Sequence, residues 1–101
     1  MNIKQTSIFK RRVKKMHNAE KESLDQAIKN IISNPSIGEM KRGDLSDVQV
    51  HKYKHNNQQY LIAYSYIDSK LLLTFIEHGV HENFYRDLKL HWLKTFFQED
   101  S

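Results

Sequence analysis

The residues of this chain that could carry out chemistry are concentrated in two short stretches. An imidazole titrates near neutral pH and can give or take a proton, whereas a lysine ammonium can neutralise a phosphate. If the end of the last strand lies beside the first strand of the predicted meander, residues 47–54, the imidazole, ammonium and phenol groups of both stretches converge on one surface. The two stretches are His51-Lys52-Tyr53-Lys54-His55 and, further along, His78, His81, Tyr85 and Arg86.

Such a set of residues suits the cleavage of RNA by its own 2′-hydroxyl group. That reaction needs a base for the 2′ proton, an acid for the leaving 5′ oxygen, and cations around the charged phosphorane. An aromatic side chain can hold the splayed base by stacking. No metal is required, so the pattern predicts no cofactor. The structural alternative is a strand edge protected by lysines, with a half-buried histidine and a core tyrosine.

Other chemistries find less support in the residue pattern. Of the six histidines, His78 and His81 lack a third ligand at helical spacing, and His51 and His55 are about 13 Å apart on an extended strand. No metal site is therefore predicted. The chain has no Gly-x-Ser-x-Gly elbow, no Gly-x-Gly-x-x-Gly and no P-loop, which disfavours serine hydrolase and nucleotide triphosphate chemistry.

The charge of the chain is unevenly distributed. The total is 16 − 12 = +4, but residues 1–54 carry 12 basic and 6 acidic side chains (+6), whereas residues 55–101 carry 4 and 6 (−2). This pattern predicts an acidic or phosphate-bearing partner, with a solvated helix face as the alternative.

The chain lacks cysteine, and its longest apolar runs are three residues, such as Leu71-Leu72-Leu73. We therefore expect one cytoplasmic domain over residues 1–101 with no membrane partner.

The first half of the chain predicts a short strand followed by two helices. Residues 2–5 suit a strand, and Thr6 or Ser7 can cap the first helix. A second helix is predicted to be capped by Asn18 and to end near Ser33, because Pro35 disfavours helical backbone before it. The apolar stripes are Phe9, Val13 and Met16 in the first helix, and Leu24, Ala27/Ile28 and Ile31 in the second.

The second half predicts an antiparallel meander and a closing helix. After a loop over residues 34–46, strands are expected at 47–54, 60–67 and 71–76, where aromatic and branched residues are frequent. Gly79 is expected to end the last strand. A helix from about His81 or Glu82 to Phe97 follows, with Phe84, Leu88 and Trp92 on one face. The order (β)ααβββα predicts an α+β fold, with a helical hairpin packed on one face of an antiparallel sheet.

Within this frame the sequence resembles the RelE/ParE superfamily, the toxins of bacterial type II toxin–antitoxin pairs. The resemblance rests on three segments, Gly43–Lys54, Tyr60–Tyr64 and Gly79–Lys89, and extends over nearly the whole chain. The resemblance implies a small α+β toxin with a curved antiparallel sheet, and a co-encoded acidic antitoxin that neutralises it. RelE- and YafQ-like members cut mRNA in the ribosomal A site, whereas ParE-like members poison DNA gyrase.

The resemblance also implies roles for individual residues. His81 and His55 match histidines of the YafQ-like motif, and Tyr85 stands where an aromatic residue is expected, so these three are the catalytic candidates. The candidates for RNA or phosphate binding are Lys52, Lys54, Arg86 and Tyr60. Two positions depart from the motif: Gln59 replaces an aspartate and Glu77 an arginine. A ribosome-dependent mRNA endonuclease is favoured over a gyrase inhibitor and over a member that only binds an antitoxin or RNA.

Overall fold

The computed structural model describes residues 1–41, 47–80 and 84–90 of the chain. These residues form β1 (Asn2–Gln5), α1 (Ser7–Lys14), α2 (Asn18–Ser33), β2 (Glu39–Met40), β3 (Gln49–His55), β4 (Gln58–Ile67) and β5 (Leu72–Val80). A 3₁₀ turn at Asp68–Lys70 joins β4 to β5, and residues 84–90 form α3. The predicted α+β fold, with two N-terminal helices, a sheet and a C-terminal helix, is confirmed.

The five strands form one sheet in the order β1-β5-β4-β3-β2. All pairs are antiparallel except β1 with β5, which run parallel. Two details of the predicted sheet were wrong. The predicted loop at residues 34–46 contains β2, which pairs with β3. Gly79 does not end β5 but pairs with Leu61, because the ladder with β4 outweighs the low strand propensity of glycine.

The ends of the two N-terminal helices are held by polar contacts. Thr6 caps α1 as predicted: its hydroxyl accepts the Phe9 N–H at 3.1 Å and donates to the Ile76 carbonyl at 2.7 Å. The N-cap of α2 is His17 rather than the predicted Asn18, and the Glu20 carboxylate accepts the His17 backbone N–H at 3.2 Å. Within the described part of the chain, no helix is long and apolar enough to span a membrane.

The sheet has an apolar cluster on each face. Successive residues of β4 point to opposite faces, so Ile62 and Tyr64 meet α1 and α2, whereas Leu61 and Ala63 meet α3. We call these the helix-pair face and the α3 face. The buried residues of the first are Phe9, Leu24, Ala27, Ile31, Ile62, Tyr64, Leu73 and Phe75, and those of the second are Val48, Val50, Leu61, Ala63, Ile76, Phe84 and Leu88. Trp92, the third residue of the predicted stripe, lies outside the described residues.

The segment between α2 and β2 is fixed by the buried phenol of Tyr64. Its hydroxyl accepts the Gly38 N–H at 2.8 Å and donates to the Pro35 carbonyl at 2.7 Å. A Cβ atom at Gly38 would lie only 2.6 Å from that hydroxyl, so this close approach requires glycine. The contact attaches the segment between α2 and β2 to β4.

Candidate functional site

The side chains of β3 divide the candidate residues between the two sheet faces. His51, Tyr53 and His55 are half-buried on the helix-pair face, whereas Lys52 and Lys54 are exposed on the α3 face. The alternation predicted from the sequence is therefore confirmed. A strand of this kind presents cations on one side and imidazole or phenol groups on the other.

His55 and Tyr60 lie together beside the start of α2. The Nδ1 atom of His55 is 2.8 Å from the Ser23 hydroxyl oxygen, and the Tyr60 hydroxyl donates to Glu20 at 3.1 Å. Both side chains line a depression of about 320 Å³. The His17 backbone N–H and the Tyr60 hydroxyl hold the pKa of Glu20 below its usual value. Hydrogen bonds to α2 thus engage one nitrogen of His55 and the hydroxyl of Tyr60.

His78 is the most buried of the described histidines, with 5% of its surface exposed. Its Nε2 atom is 2.5 Å from the Tyr53 hydroxyl oxygen, and its ring stacks on Tyr60 at 5.5 Å between centroids. Burial lowers the pKa of His78 to about 4 and raises that of Tyr53. The predicted convergence of the two stretches on one surface required β5 to lie beside β3. In the structure, β4 runs between these two strands. His78 instead reaches across β4 to Tyr53.

Glu77 is a buried carboxylate at the end of β5, with 1% of its surface exposed. Its Oε1 atom accepts hydrogen bonds from Arg12 Nε and from the His78 backbone N–H, both at 3.0 Å. Arg12 Nη2 also lies 3.9 Å from Asp87 on α3, so one guanidinium connects α1, β5 and α3. These groups line a cleft of about 250 Å³ together with Tyr60 and Phe84.

Tyr85 lies on the α3 face, the face that carries Lys52 and Lys54. It is half-buried against the second apolar cluster and packs edge to face with Phe84 at 5.2 Å. The ammonium of Lys41 lies 5.0 Å from the centroid of its ring. Arg86 is exposed, with Nε 3.7 Å from Asp87 Oδ1. The fold thus brings Tyr85 to the face of the two lysines and leaves His55 on the other.

His81, the first catalytic candidate, lies outside the described residues, as do the other residues at 81–83. In the sequence it directly follows Val80, the last residue of β5, and it precedes Tyr85 by four positions. Over the three ranges that the structure describes, no three histidine or carboxylate groups come together as metal ligands would.

The family model described as "ParE-like toxin of type II bacterial toxin-antitoxin system" matches residues 3–89, most of the chain. The chain belongs to this toxin family. Among curated proteins, none matches the sequence of this toxin.

Solved structures share the fold of the toxin at low sequence identity. E. coli RelE in the intact RelBE toxin–antitoxin complex is 21% identical, with a TM-score of 0.65 over 80% of this chain and 96% of that one. A double-arginine mutant of E. coli RelE in the free state is 19% identical, with a TM-score of 0.69 over 93% and 95%. The YoeB/ParE toxin from Agrobacterium tumefaciens is 17% identical, with a TM-score of 0.64 over 80% and 99%.

Sequence reasoning missed four residues that contact the candidate groups of the toxin. Arg12 binds Glu77, Ser23 and Glu20 bind His55 and Tyr60, and Lys41 contacts Tyr85. Only the Arg12 contact had a signal, because a buried glutamate inside an apolar strand needs a partner for its charge. The other three join segments that are far apart in the chain and carry no local pattern.

Proposed function

We propose that this toxin cleaves mRNA on the ribosome through attack of the RNA's own 2′-hydroxyl. The observation that carries the proposal is the pair of exposed ammonium groups of Lys52 and Lys54 on the α3 face, which also presents the ring of Tyr85. Neither lysine takes part in an ion pair with the described residues. Free cations of this kind can bind RNA phosphates, while the phenol can stack on a base.

The catalytic roles follow from the groups that the reaction needs. His81 serves as the acid or base, and Tyr85, four residues later in the sequence, contacts the base or orients the phosphate. Arg86 is exposed on α3 and adds a phosphate contact. His55 ranks after His81, and Tyr60 after Tyr85, because Ser23 and Glu20 engage them on the helix-pair face. The reaction uses no metal or other cofactor and takes place in the cytoplasm, where ribosomes and mRNA are present.

The substitution His81→Gln tests the proposal, with His17→Gln as the matched control at an exposed position. We expect mRNA cleavage on purified ribosomes to fall about 10²–10⁴-fold for His81→Gln, with growth arrest lost, and to be unchanged for His17→Gln. Circular dichroism and thermal unfolding establish that both variants are folded. A folded His81→Gln toxin that still arrests growth while cellular mRNA stays intact would refute the proposed mechanism.

A second candidate function is inhibition of DNA gyrase, and the environment of Glu77 favours it. The carboxylate is buried and bound to Arg12 at the position where the nuclease motif has an arginine, so one cation for the phosphorane is missing. In this case toxicity survives His81→Gln, mRNA remains intact and DNA breaks accumulate. A member that only binds an antitoxin or RNA would show neither mRNA cleavage nor gyrase inhibition.

We infer that an acidic antitoxin is the cognate partner of this toxin. RelE, which shares the fold, has been crystallised in an intact complex with its antitoxin RelB. The excess of six positive charges over residues 1–54 suits a partner of opposite charge. Coexpression with the short reading frame next to the toxin gene should relieve growth arrest and yield a copurifying complex. Two proteins that fail to associate would contradict this inference.

A further inference from the structure

One lysine differs from the other cations near the proposed RNA-binding face. Lys41 directly follows β2, and its backbone N–H donates to the Val48 carbonyl at 3.0 Å. Only 20% of its side chain is exposed, whereas Lys52 and Lys54 are exposed. A lysine side chain loses conformational freedom when it is held against a protein surface, so a buried stem implies compensating contacts.

The contacts of Lys41 are with an aromatic ring and a carboxylate. Its ammonium lies 5.0 Å from the centroid of the Tyr85 ring and 3.4 Å from Glu39 Oε1. A cation within about 6 Å of a ring centroid is attracted by the negative face of the ring. Burial acts to lower the pKa of Lys41, but the contacts with Tyr85 and Glu39 outweigh it and raise the pKa. Lys41 therefore carries its charge throughout the neutral range.

Tyr85 is consequently held from two directions. Within α3 it packs edge to face against Phe84, and from outside the helix it contacts Lys41. Because the Lys41 backbone is hydrogen-bonded to Val48, the buried residue directly before β3, its contact sets the ring relative to the sheet and not only relative to its own helix. A contact of this kind limits the positions that the phenol can take above the α3 face.

We propose that Lys41 is a positioning residue that holds the Tyr85 ring in the orientation needed for RNA cleavage. The inference rests on the proposed nuclease function, in which Tyr85 contacts the RNA. It adds a residue from the β2 segment to a site otherwise built from β3 and the C-terminal part of the chain. Lys41 acts through Tyr85 rather than on the reacting atoms.

The test compares Lys41→Met, which keeps the apolar stem and removes the charge, with Lys41→Arg, which keeps the cation over the ring. For mRNA cleavage on ribosomes, we expect Lys41→Met to lower kcat about 5- to 10-fold with KM within about twofold, and Lys41→Arg to restore most of kcat. Lys70→Met, at an exposed turn, is the matched control and should leave both constants unchanged. Thermal unfolding confirms that all variants are folded.

A double-variant cycle with Tyr85→Ala separates positioning from a direct role of Lys41. If Lys41 acts through the ring, Lys41→Met adds no further loss of kcat to Tyr85→Ala. Losses that multiply, or a folded Lys41→Met toxin with normal kcat, would overturn the inference.

The Tyr85 ring signals in NMR spectra of the free toxin give a readout that does not depend on cleavage. They should shift in Lys41→Met and return in Lys41→Arg. Unchanged signals in Lys41→Met refute the positioning role, whereas a wild-type toxin that leaves mRNA intact refutes the proposed function itself.

Discussion

The two faces of the sheet use their polar residues in opposite ways. On the helix-pair face, Tyr53, Tyr60 and His78 stack on one another, and their polar atoms bond to one another or to α2. On the α3 face, Lys52 and Lys54 are exposed to solvent. The first face uses its titratable groups to join helices to strands, whereas the second leaves charges available for a ligand.

This difference shows that residue type alone does not identify a functional site in this toxin. By residue type, His55 and His78 are as suited to proton transfer as any histidine. The fold, however, places His55 against Ser23 of α2 and His78 against Phe9 of α1. A buried histidine with a strongly lowered pKa is uncharged at neutral pH and cannot act as a general acid there. The exposed lysines have no comparable structural role, so their substitution separates function from stability.

Among the tests that compare the two faces, the largest expected effect is on activity, from the double substitution Lys52→Ala/Lys54→Ala. If these lysines make the proposed charge-assisted contacts with RNA phosphates, their loss should lower the proposed mRNA cleavage about 100-fold or more. The free energy of unfolding should change by less than about 0.5 kcal/mol, because both side chains are exposed. The control is Lys29→Ala/Lys70→Ala, which removes the same charge from other exposed positions. Equal losses in both double variants would mean that net charge, and not this face, determines activity.

A smaller effect, on stability, is expected where α1, β5 and α3 meet. Arg12→Met leaves Glu77 as a buried carboxylate without its guanidinium, which should lower the free energy of unfolding by about 3 kcal/mol. Arg11→Met, at the exposed neighbouring position, should cost less than about 0.5 kcal/mol. Adding Glu77→Gln to Arg12→Met removes the buried charge and should restore most of the loss. Urea denaturation measures all three variants, and equal stability of Arg12→Met and Arg11→Met would contradict this account.

The smallest effect is a pH dependence of stability from His78. Its pKa is lowered to about 4 in the folded protein from about 6.5 when unfolded, so the unfolded chain binds more protons between these values. The contribution of His78 is therefore complete above pH 6.5 and is lost progressively as the pH falls to 4. Burial is the main cause of the lowered pKa of His78; nearby Glu77 and Glu20 oppose the shift, and Arg12 adds to it. We expect a loss of roughly 2–3 kcal/mol over this range.

The variant His78→Gln isolates this contribution, since glutamine does not titrate. Denaturation midpoints at pH 7, 5.5 and 4 should fall less steeply for His78→Gln than for the wild type. A matched variant, His17→Gln at an exposed position, should keep the wild-type dependence. Parallel curves for wild type and His78→Gln would show that the helix-pair face does not hold His78 in its uncharged form.

Local patterns were sufficient to predict most elements of the toxin. The Thr6 cap, the end of α2 before Pro35 and the alternation along β3 depend on neighbours within a few residues, so the sequence determines them directly. The predicted ends of strands were less accurate where they depend on pairing with a neighbouring strand. Gly79 remains in β5 because β4 pairs with it, and β2 forms because β3 offers an edge.

By itself, then, the sequence determined the element order, the placement of Lys52 and Lys54 on one side of β3, and the apolar stripes of the helices. These features follow from local backbone periods, two residues in a strand and 3.6 in a helix. Only the tertiary structure decided which charges and rings meet. The Arg12–Glu77 pair joins residues 65 positions apart, and Lys41 reaches Tyr85 from the segment after β2. The physical reason is that a buried charge or an oriented ring is defined by long-range packing, which leaves no periodic signal in the chain.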